Sequence, residues 1–361
     1  MAISNGFDKQ EAQTLLNLCI QLNGTGTDDP VPSPPAGWRR LFEGHDLGPF
    51  DNAWEFWRQG DENRYAIVVR GTVDDVGSIL NDALASTMKS DGFLELGPEK
   101  RHLPLCFAPI EDGAVHLGFA WGAAILTFHK DKGILNQLLQ VGDYSEIYIT
   151  GHSQGAAIAT LLHALFDHAA RADSRTVFGD RLSRKRLQFK SYVFAQPKPG
   201  NWQFAQYFAR IAGHAGRALC INNSRDWVPQ VPFSIGLADD ITGNPIPAAL
   251  QKIKWVGRYL ARTAELAGRL LRGLRRVVGE GIKDAVKQAR TYLYEHIDHG
   301  LLDDKRGGNS ASASLNYTQC GYLISLCGTK DEDRERADPF WQHHLATYRR
   351  LLDAQLPEKL P

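Results

Sequence analysis

The chain has 361 residues, 43% hydrophobic and 23% charged, with 41 basic and 41 acidic side chains. That length holds one large domain with insertions or two smaller ones, and the composition is that of a folded globular chain, not of a disordered or fibrous one. A formal net charge of zero excludes a global electrostatic case for binding nucleic acid or another polyanion, so only local charge is informative.

From the N-terminus, Ala12, Leu15, Leu16, Leu18, Cys19 and Leu22 recur at helical spacing and predict an amphipathic helix over residues 8–22. Asp8, Lys9 and Glu11 interrupt any apolar leader, and no later run approaches the roughly 18 to 20 apolar residues of a membrane span. The expectation is a cytoplasmic chain, or one exported without a recognisable signal peptide. A Pro-rich stretch, Asp29 to Gly37, ends the helix as a loop. Short apolar runs bounded by turn or helix signals predict strands at Tyr65–Val69, Glu146–Thr150 and Ser191–Ala195, with a weaker one at Ala218–Ile221. Helical patterns at Gly118–His129 and Gly155–Ala169 lie between them. Strands alternating with helices imply a mainly parallel central sheet covered by helices. Five scattered cysteines, Cys19, Cys106, Cys220, Cys320 and Cys327, form no C-x-x-C pair and are expected to be reduced thiols.

One motif carries chemistry. Gly151-His152-Ser153-Gln154-Gly155 follows the apolar run Ile147–Thr150 and precedes the helix former Ala156–Leu162. A strand, a tight turn and a helix are the setting in which G-x-S-x-G acts as a nucleophile elbow. The glycines are needed where backbone segments come close, and the helix N-terminus directs amides at developing negative charge. The competing reading is a serine that only caps the helix. A serine hydroxyl becomes a good nucleophile only when an imidazole removes its proton, and the imidazole needs a carboxylate to hold its tautomer. The amide of Gln154, next after the serine, is one expected oxyanion donor.

The surrounding motifs resemble the class 3 lipase family, which includes fungal triacylglycerol lipases and plant phospholipases. Val68-Val69-Arg70-Gly71-Thr72 is similar to the family's strand ending in R-G-S/T, and Val115-His116-Leu117-Gly118-Phe119 to its H-x-G-F. Phe194 to Asn201 is similar to F-G-x-P-x-x-G-N, and Asp226 to Pro232 to D-x-V-P-x-x-P. These cover about residues 65–235 in the family's order. The resemblance implies an α/β-hydrolase fold, Asp226 as the triad acid, and Thr72 as the second oxyanion donor through its backbone N–H; a plain strand-end threonine is the alternative. Asp226 also follows the strand at 218–221, where a strand-end loop can present a carboxylate; Asp239 and Asp240 are weaker alternatives. The run Trp341 to Tyr348 resembles H-x-L-x-x-Y and implies His343 as the base, with His344 as second choice. Adjacent residues on a helix project about 100° apart, so only one of the pair can face the serine. His296 and His299 are expected to have no catalytic role, and His152 is expected to be a packing residue, as in the family. The sequence departs from the family at Ala156 and Ala195, where glycines are usual.

After Pro232 the pattern changes. Residues 237–310 read as a helical insertion that divides the hydrolase core into 1–236 and 311–361. Residues 251–290 hold eleven Lys or Arg against three Asp or Glu, a net +8. Ile253, Trp255, Val256, Tyr259, Leu260 and Leu266 give one face of this segment an apolar stripe, and such a basic amphipathic helix suits an anionic lipid interface. A lid and a fixed cap with solvated charges are equal alternatives. Residues 73–84 correspond to the family's short lid, or begin a buried helix. Residues 303–314, rich in Ser, Gly and Ala, are expected to be a mobile linker. The function implied is carboxylic ester hydrolysis, most simply of acylglycerols, without metal or organic cofactor. Phospholipase A1 action at sn-1, hydrolysis of soluble esters, and a catalytically silent lipid-surface binding module are the alternatives.

Overall fold

The structure, a computed structural model, describes residues 3–70, 86–171, 178–232, 234, 286–303 and 309–359. Seven strands form its main sheet: β1 (Trp38–Leu47), β2 (Asn52–Gln59), β3 (Arg64–Arg70), β4 (Glu146–His152), β5 (Gln188–Phe194), β6 (Ala218–Asn223) and β7 (Tyr322–Leu326). Their order in space is their order in the chain. The pairs β1–β2 and β2–β3 are antiparallel, and every pair from β3 to β7 is parallel. The four strands expected from sequence are the inner ones, β3 to β6. Every residue of β4 is buried, and its central Ile147-Tyr148-Ile149 is apolar without alternation, as suits a strand covered on both faces. The β1–β2 hairpin has no counterpart in the sequence reading. The edge strand β1 is largely exposed, with Arg39, Arg40, Glu43 and Asp46 on it, and so has no apolar run to read.

Side chains alternate across this sheet into two apolar layers. On one face Ile67, Val69, Ile147, Ile149, Phe189 and Val193 pack beneath helices α2 (Leu117–Phe128) and α3 (Gln154–Ala169). On the other, Ala66, Val68, Tyr148, Tyr192 and Ile221 pack beneath α1 (Lys9–Asn23) and α4 (Leu345–Gln355). Small residues let the first layer close up: a Cβ added to Gly122 of α2 would lie 2.8 Å from Cδ1 of Ile158 in α3. Helix α1 begins at Asp8, whose side chain accepts from the Glu11 N–H, and ends at Gly24 with φ +79°, a polar cap at one end and a glycine at the other. Polar bonds also fasten α1 to the sheet. The Glu11 carboxylate pairs with the fully buried Lys190 ammonium at 2.6 Å and accepts from Tyr148 at 2.7 Å and Tyr192 at 2.8 Å.

A smaller antiparallel sheet stands beside the first, ordered Ala311–Ser312, Thr87–Lys89, Ala114–His116, Gly200–Asn201, Tyr317–Thr318. It corrects one expectation. The described part of the supposed linker, from Asn309 to Ser314, is not a tether: Ala311 and Ser312 pair with Met88 and Thr87, and the Thr87 hydroxyl donates to the Ser312 and Ser314 carbonyls. Low-complexity Ser and Ala residues carry no strand signal, yet their small side chains suit a strand whose partners are supplied by a distant segment. Residues 286–297 are likewise docked. Residues 286–296 are helical, and Ala289, Leu293 and Ile297 join the apolar layer beneath α2 and α3, while the Lys130 N–H donates to the His296 carbonyl at 2.7 Å. Residues 73–84, expected to be a lid or the start of a buried helix, and all of residues 237–285 lie outside the described residues. All five cysteines are free thiols, four buried and Cys327 exposed. Among the described residues no helix is long and apolar enough to cross a membrane.

Candidate active site

Ser153 sits between the end of β4 and the start of α3, with φ +58° and ψ −132°. A residue other than Gly rarely adopts that conformation, and such strain persists only where neighbours enforce it. Here the Ser153 N–H donates to the Phe194 carbonyl at 3.0 Å and its carbonyl accepts from the Ala156 N–H at 2.9 Å. Gly151 is obligatory: an added Cβ would lie 2.4 Å from the Gly155 carbonyl oxygen. Although Ser153 occupies the N-cap position, its side chain makes no capping bond. Its hydroxyl is spent elsewhere, which disfavours the capping-serine reading.

The hydroxyl meets His343, whose Nε2 lies 2.9 Å from Oγ. On the far side of the ring, Nδ1 lies 2.7 Å from Oδ2 of Asp226. A carboxylate accepts only, so Nδ1 carries the proton and Nε2 is left to accept from the serine. Asp226 is 2% exposed and follows β6 in a turn where its Oδ1 accepts from the Val228 N–H at 3.0 Å. His344 is placed elsewhere, with Nε2 2.6 Å from Oδ2 of Asp338. The reason differs from the helical argument. Both histidines precede α4, His344 being its N-cap, so the lead-in turn aims them apart. That turn is anchored to β6 by Asn223, whose Nδ2 donates to the Gln342 carbonyl at 2.9 Å and to its Oε1 at 2.8 Å.

Gln154 is buried and opens α3 directly after the serine, where the helix N-terminus favours negative charge. Thr72, Asp239 and Asp240 lie outside the described residues. His296 and His299 bond to the carbonyls of Tyr292 and Tyr294 within their own segment. One participant carried no role in the sequence reading: the Tyr348 hydroxyl, in α4, donates to Oδ2 of Asp226 at 2.9 Å and accepts from the Asn223 N–H at 3.0 Å. Burial, with Asp226 alongside, raises this phenol well above its ordinary pKa, so it remains a donor. Its place as the tyrosine of H-x-L-x-x-Y was the available signal.

Comparison with known proteins bears on the same stretch. The family model described as lipase (class 3) matches residues 66–235. A secreted mono- and diacylglycerol lipase of Malassezia globosa is 40% identical over 91 residues, 25% of each chain. One from Malassezia restricta is 30% identical over 167 residues, 46% of each. The chain thus spans between a quarter and about half the length of these curated relatives. Among solved structures, a lipase from Rhizopus microsporus var. chinensis is 22% identical, with a TM-score of 0.42 over 62% of this chain and 69% of that one. A Yarrowia lipolytica lipase is 18% identical, with a TM-score of 0.44 over 64% and 78%. Residues 66–235, which hold Ser153 and the turn at Asp226, are thus similar to the class 3 lipase family.

Proposed function

We propose that the protein hydrolyses carboxylic esters of acylglycerols through Ser153, His343 and Asp226. The observation that carries this reading is the unbroken relay from Ser153 Oγ to His343 at 2.9 Å and from His343 to Asp226 at 2.7 Å. Ser153 Oγ attacks the ester carbonyl while His343 Nε2 takes its proton, and Asp226 stabilises the resulting imidazolium. The negative charge on the carbonyl oxygen is met by the Gln154 amide and, in this reading, by the Thr72 amide. Collapse expels the alcohol, which takes the proton from His343, and leaves an acyl-serine. Water then gives a proton to His343 and attacks the acyl carbon; the fatty acid departs and Ser153 regains its proton. Every proton is carried by the chain's own imidazole. The names of the Malassezia relatives point to mono- and diacylglycerols and to export, and both are part of the proposal. So is the division into a core of residues 1–236 and 311–361 with an insertion between, and an approach to lipid surfaces through the basic segment 250–290.

A panel of p-nitrophenyl esters from short to long acyl chains, with monoacyl-, diacyl- and triacylglycerol and phosphatidylcholine emulsions, tests this reading. Ser153→Ala is expected to lower kcat by about four orders of magnitude or more. Turnover in the variant equal to the parent's would reject the mechanism. A serine-dependent preference for phosphatidylcholine would move the assignment to phospholipase A1. Loss of all turnover in the parent, with anionic vesicles still bound, would favour a binding module. Faster hydrolysis of anionic than of neutral emulsions at low salt is expected from the basic segment.

A further inference from the structure

We propose that His152, the residue before the nucleophile, is a positioning residue that holds the catalytic base in register by its main chain; this rests on the hydrolase reading of Ser153 and His343. The base is carried on a turn, between the short helix Glu332–Ala337 and α4, and a turn does not by itself hold a ring to the tolerance that proton transfer needs. Within that turn the His343 N–H is used by the Phe340 carbonyl at 2.7 Å. Its own carbonyl points back to the sheet, where Nε2 of His152 lies 2.8 Å away. His152 is the last residue of β4, in register with Phe194 of β5, and so is held by the sheet. The bond therefore ties the base to the very strand end that launches the nucleophile, one residue away along the chain.

The geometry also specifies the proton. A carbonyl oxygen only accepts, so Nε2 of His152 must carry a hydrogen. Burial, with the His343 ring next to it, holds His152 well below its ordinary pKa, so the ring is neutral and Nδ1 is bare. The two imidazoles are 4.5 Å apart between centroids, and Tyr348 meets His152 edge-on at 79°. Neutrality matters for the cycle: when His343 becomes an imidazolium, no second cation faces it from 152. A residue that merely packed here would need only volume, whereas this arrangement needs a donor at one atom.

Two substitutions separate those roles. His152→Leu fills the space without a donor; His152→Gln places an amide N–H at comparable reach. The expected result is a kcat reduced about 10- to 100-fold in the Leu variant with KM within about twofold, and most of it recovered in the Gln variant, the scale set by small displacements of a reacting group. Labelling of Ser153 by a p-nitrophenyl phosphonate is expected to slow by the same factor. Unchanged kcat in the Leu variant, or equal losses in both, would overturn the proposal. Should the Leu variant fail to fold, the unmodified protein still decides: nitrogen-15 histidine spectra near neutral pH are expected to show His152 neutral, with a slowly exchanging Nε2–H. A proton on Nδ1 alone, or a charged ring, would overturn it. Ser153→Ala distinguishes the two levels. If that variant is inactive while His152→Leu is not, only the role of His152 fails; if Ser153→Ala keeps full activity, the hydrolase reading itself fails.

Discussion

The carboxylate of Asp226 takes three bonds, from His343 Nδ1, the Tyr348 hydroxyl and the Val228 amide, so removing one is a graded change. Tyr348→Phe strips a donor from Asp226 and leaves the Asn223 N–H, in a residue 2% exposed, without its acceptor. An unpaired buried polar group costs about 1–3 kcal/mol. The variant is expected to lose that much stability in urea unfolding and to show a kcat about tenfold lower with KM little changed. A variant matching the parent in both would remove Tyr348 from the site. Ala195 is a second informative position. It holds φ +53° where the family pattern has glycine, so the methyl group is retained against backbone strain while lying in the apolar layer with Tyr192 and Ile221.

Helix α1 is held to the sheet by charge as well as by its apolar stripe. The Lys190 ammonium is fully buried and its carboxylate partner, Glu11, is one-fifth exposed, so the helix brings the counter-ion that lets a cation sit inside the second layer. Glu11→Leu would strand that charge. Breaking one half of such a pair typically costs about 3–5 kcal/mol, whereas replacing both halves by apolar groups is often neutral. Glu11→Leu is therefore expected to lower unfolding free energy by about that amount, and Glu11→Leu with Lys190→Met to restore most of it. If the double variant is no more stable than the single one, the pair is not what secures α1. Sequence periodicity alone finds α1, but not this pairing, because its partner lies 179 residues away.

Across the whole molecule, the buried histidines make stability depend on pH. His163, in α3, lies 2.8 Å from the Ser191 hydroxyl of β5 through Nδ1, fully buried. Burial pushes its pKa down to about 4, whereas in the unfolded chain it titrates near 6.5. Between those values the unfolded state binds a proton that the folded state refuses, so stability rises with pH. The contribution is full above about pH 6.5 and is lost as pH falls towards about 4, on the order of 3 kcal/mol. Urea unfolding at pH 7 and pH 4.5 should show this fall, and His163→Phe should flatten it. An equally steep fall in the variant would assign the acid sensitivity to other groups. His152, also held neutral by burial, acts in the same direction.

What the chain determined by itself was whatever depends on near neighbours. The inner strands β3 to β6 read as short apolar runs, α1 as a periodic face, α2 and α3 as helical patterns between the strands, and the elbow as glycine, serine and glycine at one junction, because turn geometry and backbone approach are settled within a few residues. The tertiary structure decided what depends on contacts far along the chain. It aimed His343 at a serine 190 residues away and turned His344 to Asp338. It made a strand of Ala311–Ser312 by supplying Thr87–Lys89 as partner, and it gave the His152 ring a carbonyl 191 residues distant. A side chain's direction in a turn is set by whatever it packs against, and no local pattern in the sequence encodes a neighbour that only folding brings near.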